Sequence, residues 1–343
     1  MAEHSFIVPP LDGRLSGGTL YNRELLGSLA SLGLAVRALE PGAARAALAA
    51  NEPGFYWVDS LFLPHFPALR RENRGRHPLG LLAHYLPALV EQGDAVSPGR
   101  LSADESFALA QSDMVLAPSA YMKQTLLRLG LSPTARCFVV EPGCSILEAG
   151  AAPFAFDGVR ALMIGNLTAG KGVEPFLRAL AAELEPDDEL ELEIVGDTDA
   201  DKSYAEACFA ARALPALAER VTFTGSLAPE FAMKRLQASN LLVSASRMES
   251  FGMAIAEART LGLPVAALAR GNVPALVEPG AGGLLAQTDQ ELARACVELA
   301  RDPLAHESAA RLASRQARAP RSFAQAAREL VAQLSTSGLA ARA

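Results

Sequence analysis

Two glutamates flank a glycine in the second half of the chain, and their spacing suggests chemistry at the start of a helix. Glu249 and Glu257 lie eight positions apart, with Gly252 between them. On a continuous helix, eight residues span a little over two turns and would turn both carboxylates the same way. The sequence predicts a short buried strand over 240–246 and an alanine-rich helix from Met253 to Leu261. Periodicity alone favours a solvated helix with two glutamates.

The predicted helix start between the two glutamates is also a candidate anion site. Phe251, Gly252 and Met253 would offer backbone N–H groups that no helical carbonyl accepts. Helix N-termini bind phosphate through such groups and through the helix dipole. A phosphate bound there would place Glu249 beside it, and Glu257 could reach a sugar hydroxyl.

Composition indicates a globular protein with two domains. The 343 residues are enough for two cores, half of them are hydrophobic, and a formal net charge of −7 offers no basic surface to nucleic acid. No apolar run approaches the ~20 residues of a membrane span, and the chain starts without a signal-peptide pattern, so we expect a cytoplasmic protein with no integral membrane segment. The four cysteines lie far apart, which predicts reduced thiols and no metal site.

Strands and helices alternate through the first half of the chain, which predicts a parallel sheet with helices on both faces. A glycine-rich loop ending at Gly17 and Gly18 joins the first strand to a helix over about 19–32. It lacks the Gly-x-Gly-x-x-Gly fingerprint of dinucleotide-binding folds, so it indicates only that the backbone can approach a ligand closely. His84 lies near the end of one strand. The predicted strands are 6–8, 34–39, 56–63, 80–87, 114–117 and 137–140.

A second alternating set follows a stretch rich in alanine, glycine and proline. Its first strand, 161–164, leads into a loop with Asn166, Thr168 and Lys171, and the stretch 279–285 resembles a hairpin. The last helix, over about 323–334, is expected to pack back on the first domain. The predicted organisation is a first domain over 1–146, a linker over 147–160, a second domain over 161–318 and a carboxyl-terminal helical segment over 319–343.

One dense basic run, over 70–77, lies in a segment that we predict to be a loop spanning 66–78. Such a run could meet an anionic acceptor or lipid head groups in a peripheral membrane contact. A solvated loop is the more common behaviour of charge runs and is favoured here. A second predicted loop, over 90–101, carries no recognisable pattern.

These motifs, in this order, resemble the family 4 glycosyltransferases of the GT-B fold. The resemblance covers most of the chain and is strongest over 162–285. In the second half it rests on Gly165-Asn166-Leu167 with Lys171-Gly172, Val195-Gly196, Phe223-Thr224-Gly225-Ser226, the two glutamates with Phe251-Gly252, Gly271-Asn272-Val273-Pro274, Val277-Glu278 and Gly283-Leu284-Leu285. In the first half it rests on Ser16-Gly17-Gly18, Ala117-Pro118-Ser119, Leu129-Gly130 and Glu141-Pro142-Gly143-Cys144.

The resemblance implies an α/β protein with two Rossmann-like domains whose parallel sheets face each other across a cleft. It implies a retaining, metal-independent enzyme that takes a nucleotide-diphosphate sugar and has no other cofactor. The acceptor stays open as a small molecule, a glycan or a lipid-linked molecule. Lys171 would hold the diphosphate, Glu249 would face the transferred sugar, Glu257 would bind the ribose, and the N–H groups of Phe251, Gly252 and Met253 would meet sugar or phosphate.

Further roles follow from the same resemblance. Gly17 and Gly18 would approach the diphosphate from the first domain, and His84 would lie near the donor sugar. The nucleotide base would pack near Gly196, Ser226 and Leu227, mostly against backbone. One position departs from the family, which often has an arginine where this chain has Asn166. The missing positive charge would then be replaced in part by Thr168, by the helix start at Gly252, or by Arg247.

Two other functions fit parts of the pattern. A catalytically silent GT-B protein that binds a sugar nucleotide or acts as a scaffold would explain Asn166, although it would have no need for Lys171, Glu249 and Glu257. An NAD-linked enzyme is disfavoured by the missing glycine fingerprint. The stretch from Asp197 to Asp199 is the nearest approach to the Asp-x-Asp of metal-dependent transferases, but its position suits a loop on the base side better.

Overall fold

The chain forms two compact units, which we describe from a computed structural model covering residues 3–144 and 158–337. The first unit comprises Met1–Gly143 together with Arg321–Ala343, and the second comprises Cys144–Pro320. The predicted linker lies outside the described residues except for 158–160. There the first strand of the second unit begins at Val159, two residues earlier than predicted.

Each unit contains a parallel six-stranded sheet. In the first unit the strands are β1 His4–Ile7, β2 Val36–Leu39, β3 Phe55–Asp59, β4 Leu79–Leu82, β5 Met114–Ala117 and β6 Arg136–Val139. In the second unit they are β7 Val159–Ile164, β8 Leu190–Val195, β9 Val221–Gly225, β10 Leu241–Ser244, β11 Val265–Leu268 and β12 Gly283–Ala286.

Helices cover the sheets, as parallel strands require of the segments that connect them. Those of the first half are α1 Gly17–Ser31, α2 Pro41–Ala49, α3 Phe66–Asn73, α4 Pro87–Gln92, α5 Ala103–Gln111 and α6 Ala120–Arg128. The second half adds α7 Val173–Glu183, α8 Lys202–Arg212, α9 Pro229–Ala238, α10 Met253–Leu261, α11 Val273–Leu276, α12 Asp289–Arg301, α13 Pro303–Arg315 and α14 Phe323–Thr336. No helix among these described residues is long and apolar enough to cross a membrane.

The strand orders identify where each sheet changes direction. The first unit has the order β2-β1-β3-β4-β5-β6, so the direction of winding reverses between β1 and β3. The second has the order β12-β11-β10-β7-β8-β9, with the reversal between β7 and β10. Open parallel sheets bind their ligands beyond the carboxyl ends of the strands at such a reversal. Two loop clusters are therefore candidate sites, one in each unit.

The glycines of the first loop belong to a helix. Ser16 and Thr19 form a reciprocal cap in which the Ser16 hydroxyl accepts from the Thr19 N–H and the Thr19 hydroxyl accepts from the Ser16 N–H. This capping box starts α1 at Gly17, two residues before the predicted start. Gly17 and Gly18 thus lie in its first turn, where backbone N–H groups have no helical acceptor.

The predicted strand over 56–63 is too long. The chain leaves β3 at Asp59, because the Asp59 carboxylate accepts from the Leu61 N–H at 2.8 Å and caps a 3-10 turn over Ser60–His65. The polar cap overrides the apolar character of the residues that follow. The strand predicted over 80–87 is also too long. In the structure β4 ends at Leu82, and His84 lies in the loop beyond it.

The prediction of a solvated loop over 66–78 is wrong, because α3 occupies most of it. Arg70 forms an ion pair with Asp113 at 2.6 Å. Arg76 donates to the backbone oxygen of Leu48 at 3.1 Å and to two neighbouring carbonyls. Arg70 and Arg76 are therefore engaged within the first unit and are not spare for lipid head groups.

The prediction of a hairpin over 279–285 is also wrong. Pro279–Ala281 forms a 3-10 turn, and β12 then pairs in parallel with β11, with Val265 opposite Gly283. Gly282, which follows this turn, reflects close packing, since a Cβ there would lie 2.3 Å from the carbonyl oxygen of Ala309.

The last helix, α14, packs against α1 of the first unit. The Gln333 side chain donates to the backbone oxygen of Val139 at 3.0 Å, and the Phe323 ring meets the edge of Tyr21 with centroids 6.1 Å apart. A Cβ on Gly143 would lie 2.2 Å from the Phe323 nitrogen, so glycine is required where α14 begins.

Acid is expected to destabilise the first unit through His4. This side chain stacks on Phe55, and burial lowers its pKa from 6.5 to about 4. Because the folded pKa lies below the unfolded one, the unfolded chain binds more protons between pH 6.5 and 4. The His4 contribution is complete above pH 6.5 and falls by about 3 kcal/mol on acidification to pH 4.

The single tryptophan, Trp57, lies in β3 and reports on the unfolding of this unit. Urea titrations followed by Trp57 fluorescence at pH 7 and pH 4 measure the effect. We expect His4→Leu to lessen the loss of stability between these pH values. An equal loss in wild type and variant would contradict the assignment to His4.

Candidate functional site

The reversal between β7 and β10 brings the predicted chemical residues of the second unit together. Lys171 lies in the loop after β7, and Glu249 lies in the loop after β10. Lys171 Nζ is 2.6 Å from Glu249 Oε1, with side chains that are 34% and 15% exposed. An ammonium and a carboxylate therefore meet at the carboxyl edge of this sheet, within reach of solvent.

The loop after β7 presents the ammonium on a supported stem. The Lys171 N–H donates to the backbone oxygen of Thr168 at 2.9 Å, closing a 3-10 turn over Ala169–Lys171. A Cβ added to Gly165 would lie 3.1 Å from Lys171 Cδ, so the aliphatic stem runs over that glycine. Thr168 contributes backbone geometry here, and its hydroxyl makes no capping bond.

A small cavity lies beside this lysine. It has a volume of about 20 Å³ and is lined by residues at the carboxyl ends of β7 and β10, including Gly165, Lys171, Ser244 and Ser246. That volume accommodates one water molecule.

Asn272 holds the Glu249 loop in place, a role that the sequence did not reveal. Its N–H donates to the Glu249 carbonyl at 2.8 Å, and its side chain donates to the Phe251 carbonyl at 2.9 Å. The preceding Gly271 has φ +61, and a Cβ there would lie 2.3 Å from the Glu249 carbonyl oxygen. The Gly-Asn pair after β11 is therefore required to fix the position of Glu249.

The start of α10 exposes the predicted donors. Gly252 adopts a left-handed conformation with φ 96 and precedes the helix. Over residues 3–144 and 158–337, nothing accepts a hydrogen bond from the N–H groups of Phe251, Gly252 or Met253. Free N–H groups at a helix start attract an anion.

Glu257 is buried, with 7% of its surface exposed. The alternative of a solvated helix bearing two glutamates therefore fails for this residue. Glu249 and Glu257 occupy different settings, one in a loop beside a cation and the other inside α10.

Asn166 accepts a hydrogen bond through its side chain, which an arginine could not do because its guanidinium only donates. Its side-chain oxygen accepts from the Asp197 N–H at 3.0 Å, while the Asp197 carbonyl accepts from the Leu167 N–H at 2.9 Å. These bonds join the loop after β7 to the loop after β8. Asp197 thus serves loop geometry, and among the described residues no cluster of His, Cys, Asp and Glu could hold a metal ion.

Arg247 is engaged beside this loop. Its backbone N–H donates to the Gly170 carbonyl at 2.8 Å, and its guanidinium pairs with Asp289 at 2.9 Å. The side chain lies close to Gly172, where an added Cβ would be 3.0 Å from Arg247 Nε. It therefore belongs to the packing around the start of α7.

The residues predicted on the base side lie at the ends of β8 and β9. The Gly196 N–H donates to the Gly225 carbonyl at 3.0 Å. Ser226 is exposed, and Leu227 packs against the core of the second unit.

Substituting Gly196 is expected to destabilise the second unit. A Cβ at this position would lie 2.0 Å from the Gly165 carbonyl oxygen, which is backbone and cannot rotate away. We expect Gly196→Ala to cost about 1–3 kcal/mol through overpacking. Thermal unfolding measures the loss, with Gly280→Ala as the control because its Cβ would meet nothing within 4 Å. Equal melting temperatures for the two variants would contradict the close approach.

The predicted residues of the first unit also meet at a reversal. His84 Nε2 is 2.7 Å from Asn22 Oδ1, and Asn22 Nδ2 is 2.7 Å from Asp59 Oδ2. Burial lowers the pKa of His84, while the nearby Asp59 carboxylate opposes that shift. A Cβ on Gly18 would contact the His84 ring at an ordinary 3.5 Å, so packing within this unit does not demand glycine there.

Comparison with known proteins gives one family and one fold. The family model for glycosyl transferases group 1 matches residues 158–302. A D-inositol 3-phosphate glycosyltransferase of Rhodococcus opacus is 30% identical over 80% of this chain and 64% of its own length. One of Streptomyces griseus is 28% identical over 62% of this chain and 51% of its own length. The chain thus spans between half and two thirds of these relatives.

Solved structures show the same architecture. Sucrose-phosphate synthase of Thermosynechococcus elongatus superposes with a TM-score of 0.81 at 20% identity, covering 99% of this chain and 100% of that one. Anabaena HepE in complex with UDP-glucose gives 0.76 at 19% identity, covering 98% and 100%. Identities this low carry the fold alone, which is GT-B. The family model and the sequence relatives confirm the resemblance of the motifs to family 4 glycosyltransferases, and the solved structures share the GT-B fold of this chain.

Proposed function

We propose that this chain transfers a sugar from a nucleotide-diphosphate sugar to an acceptor, with retention of anomeric configuration and without a metal ion. The observation that carries the proposal is the Lys171–Glu249 pair beside the free N–H groups of α10. A cation, a helix start and a carboxylate at one sheet edge suit a diphosphate and a sugar that gains positive charge.

Lys171 is the proposed cation for the diphosphate. Without donor, its ammonium is neutralised by Glu249. When the donor binds, Lys171 would exchange this carboxylate for a phosphate oxygen, and the N–H groups of Gly252 and Met253 would meet the anion as well. Lysine acts here as a point charge on a flexible stem, which allows the exchange without movement of the backbone.

Glu249 is the proposed stabiliser of the sugar. As the anomeric C–O bond to the diphosphate breaks, positive charge grows on the sugar ring. A fixed carboxylate lowers the energy of that charge. The Asn272 bonds to the backbone around Glu249 would hold the carboxylate in place.

Retention would follow from attack on the same face as the leaving group. The acceptor oxygen forms the new bond to the anomeric carbon, and its proton passes to an oxygen of the departing diphosphate. Lys171 and the amides carry the negative charge released, a task that needs positioning and electrostatics rather than a covalent intermediate. Asn166 provides no second cation beside Lys171, so backbone N–H groups would stabilise the rest of the negative charge.

The remaining predicted residues are assigned to substrate contacts within this proposal. Glu257 would bind the ribose, and Gly196, Ser226 and Leu227 would border the base. Gly17, Gly18 and His84 would meet substrate groups from the first unit. The relatives' names make D-inositol 3-phosphate the first acceptor to test, and the HepE complex makes UDP-glucose the first donor.

Nucleotide release tests the proposal. UDP-, GDP-, ADP- and TDP-linked sugars are incubated with and without candidate acceptors, and the anomeric coupling constant of the product is read by NMR. We expect release with one nucleotide class, acceleration by an acceptor, an unchanged configuration and full activity in EDTA. Binding without release would favour a silent sugar-nucleotide-binding protein. Inversion or loss of activity in EDTA would overturn the mechanism.

A further inference from the structure

Three polar side chains form a hydrogen-bonded chain inside the first unit. Asp59 ends β3, His84 follows β4, and Asn22 lies on α1. Asp59 and Asn22 each keep 1% of their surface exposed, and the His84 side chain keeps 10%. The chain lies at the carboxyl edge of the sheet, beside the reversal between β1 and β3, where parallel sheets place their sites.

The carboxylate determines the direction of every bond in this chain. An ionised Asp59 only accepts, so the amide nitrogen of Asn22 must face it. The amide oxygen of Asn22 then faces His84 Nε2, which must carry a proton to donate. Turning the Asn22 amide over would place two oxygen acceptors against each other. Asp59 is held in turn by the Leu61 N–H.

The tautomer of His84 follows. Burial lowers the pKa of His84, so its ring is neutral near pH 7. With the proton on Nε2, Nδ1 carries a lone pair. Nδ1 makes no hydrogen bond to any residue in the part of the chain described by the structure, and 10% of the His84 side chain is exposed. The ring also meets the edge of Tyr21, whose hydroxyl donates away from it to the Val140 carbonyl.

We propose that Asn22 and Asp59 are positioning residues that fix His84 as the neutral Nε2–H tautomer, so that Nδ1 accepts a hydrogen bond from a hydroxyl of a bound sugar substrate. The inference rests on the proposed function for the identity of the substrate. The tautomer itself does not depend on that function. Neither Asn22 nor Asp59 would touch the substrate; both would act through His84.

The first experiment reads the tautomer directly. Long-range ¹⁵N–¹H correlation spectra of the full chain at pH 7.5 distinguish protonated from bare ring nitrogens, and His84→Ala assigns the signals. We expect a protonated Nε2 and a bare Nδ1. The opposite tautomer, or a ring protonated on both nitrogens, would overturn the proposal. Adding UDP-glucose, or the member of the sugar-nucleotide panel that binds, should shift the Nδ1 signal upfield. The matching free nucleotide diphosphate should not.

The second experiment separates positioning from packing. Asn22→Leu should lower kcat about tenfold and leave the affinity for the free nucleotide diphosphate unchanged. In a His84→Ala background the same change should have no further effect on kcat. Asn73→Leu is the matched control, since Asn73 is also buried and bonded to a histidine, through the backbone of His77. It should lower stability and leave kcat unchanged. Additive effects of Asn22→Leu and His84→Ala would overturn the proposal.

The first experiment is independent of the proposed transfer, whereas the second requires measurable turnover. A protein that binds the sugar nucleotide and never releases product would refute sugar transfer. The Nδ1 shift on binding would still support the role of His84 and its partners. Active transfer with no Nδ1 shift for either donor or acceptor would refute the inference and leave the transfer standing.

Discussion

Lys171→Ala is expected to lower kcat/KM for sugar transfer by about 100- to 1000-fold, the range found when one donor to a developing anion is removed. The ammonium is the cation that the loop after β7 presents at the sheet edge, and Asn166 cannot replace it. The same change should weaken binding of the free nucleotide diphosphate, because the diphosphate is the group that Lys171 would hold. Steady-state kinetics and calorimetric titration measure the two effects.

Lys234→Ala is the control for this prediction. Lys234 is exposed on α9, where its ammonium lies 5.2 Å from the Phe231 ring centroid. Its removal changes the net charge equally and should leave both quantities unaltered. If Lys171→Ala behaves like Lys234→Ala, the ammonium is not part of the donor site.

Glu249→Gln should affect catalysis and binding in opposite directions. Loss of the carboxylate removes the stabilisation of positive charge on the sugar, which should lower kcat by about 100-fold. It also releases Lys171 from an ion pair at 2.6 Å. Affinity for the free nucleotide diphosphate should therefore stay the same or increase.

Kinetics under saturating donor and titration with the free nucleotide separate these two outcomes. Glu230→Gln, on the exposed face of α9, controls for the change in net charge. Weaker nucleotide binding by Glu249→Gln, comparable with that of Lys171→Ala, would mean that the carboxylate helps to hold the diphosphate site together and has no separate catalytic role.

The bounds of an element could be predicted where its local sequence pattern and its packing in the fold favour the same structure. The apolar run at β5 and the helix over Met253–Leu261 were predicted with the bounds that the structure shows. In α3 the two disagree. Its exposed face carries the arginines that suggested a loop, while Phe66 and Leu69 are buried on the other face. A helix is difficult to recognise within a run of charged residues when its apolar face consists of only two or three residues.

The charged groups of the site could be predicted from the sequence, but the residues that position them could not. The motif resemblance selected Lys171 and Glu249, although 78 residues separate them in the chain. Their meeting depends on the pairing of β7 with β10, which spacing does not encode. The supporting roles of Asn272, Asn22 and Asp59 were missed, because a buried polar residue acquires its role from partners that are distant in sequence.

The donor site is tested most directly by calorimetric titration of UDP-, GDP-, ADP- and TDP-linked sugars into wild-type protein and Lys171→Ala. We expect saturable binding of one nucleotide class to the wild type, and binding at least tenfold weaker to the variant, which corresponds to about 1.4 kcal/mol. Absence of binding with every donor, or equal affinity in the two proteins, would contradict a donor site at the Lys171–Glu249 pair.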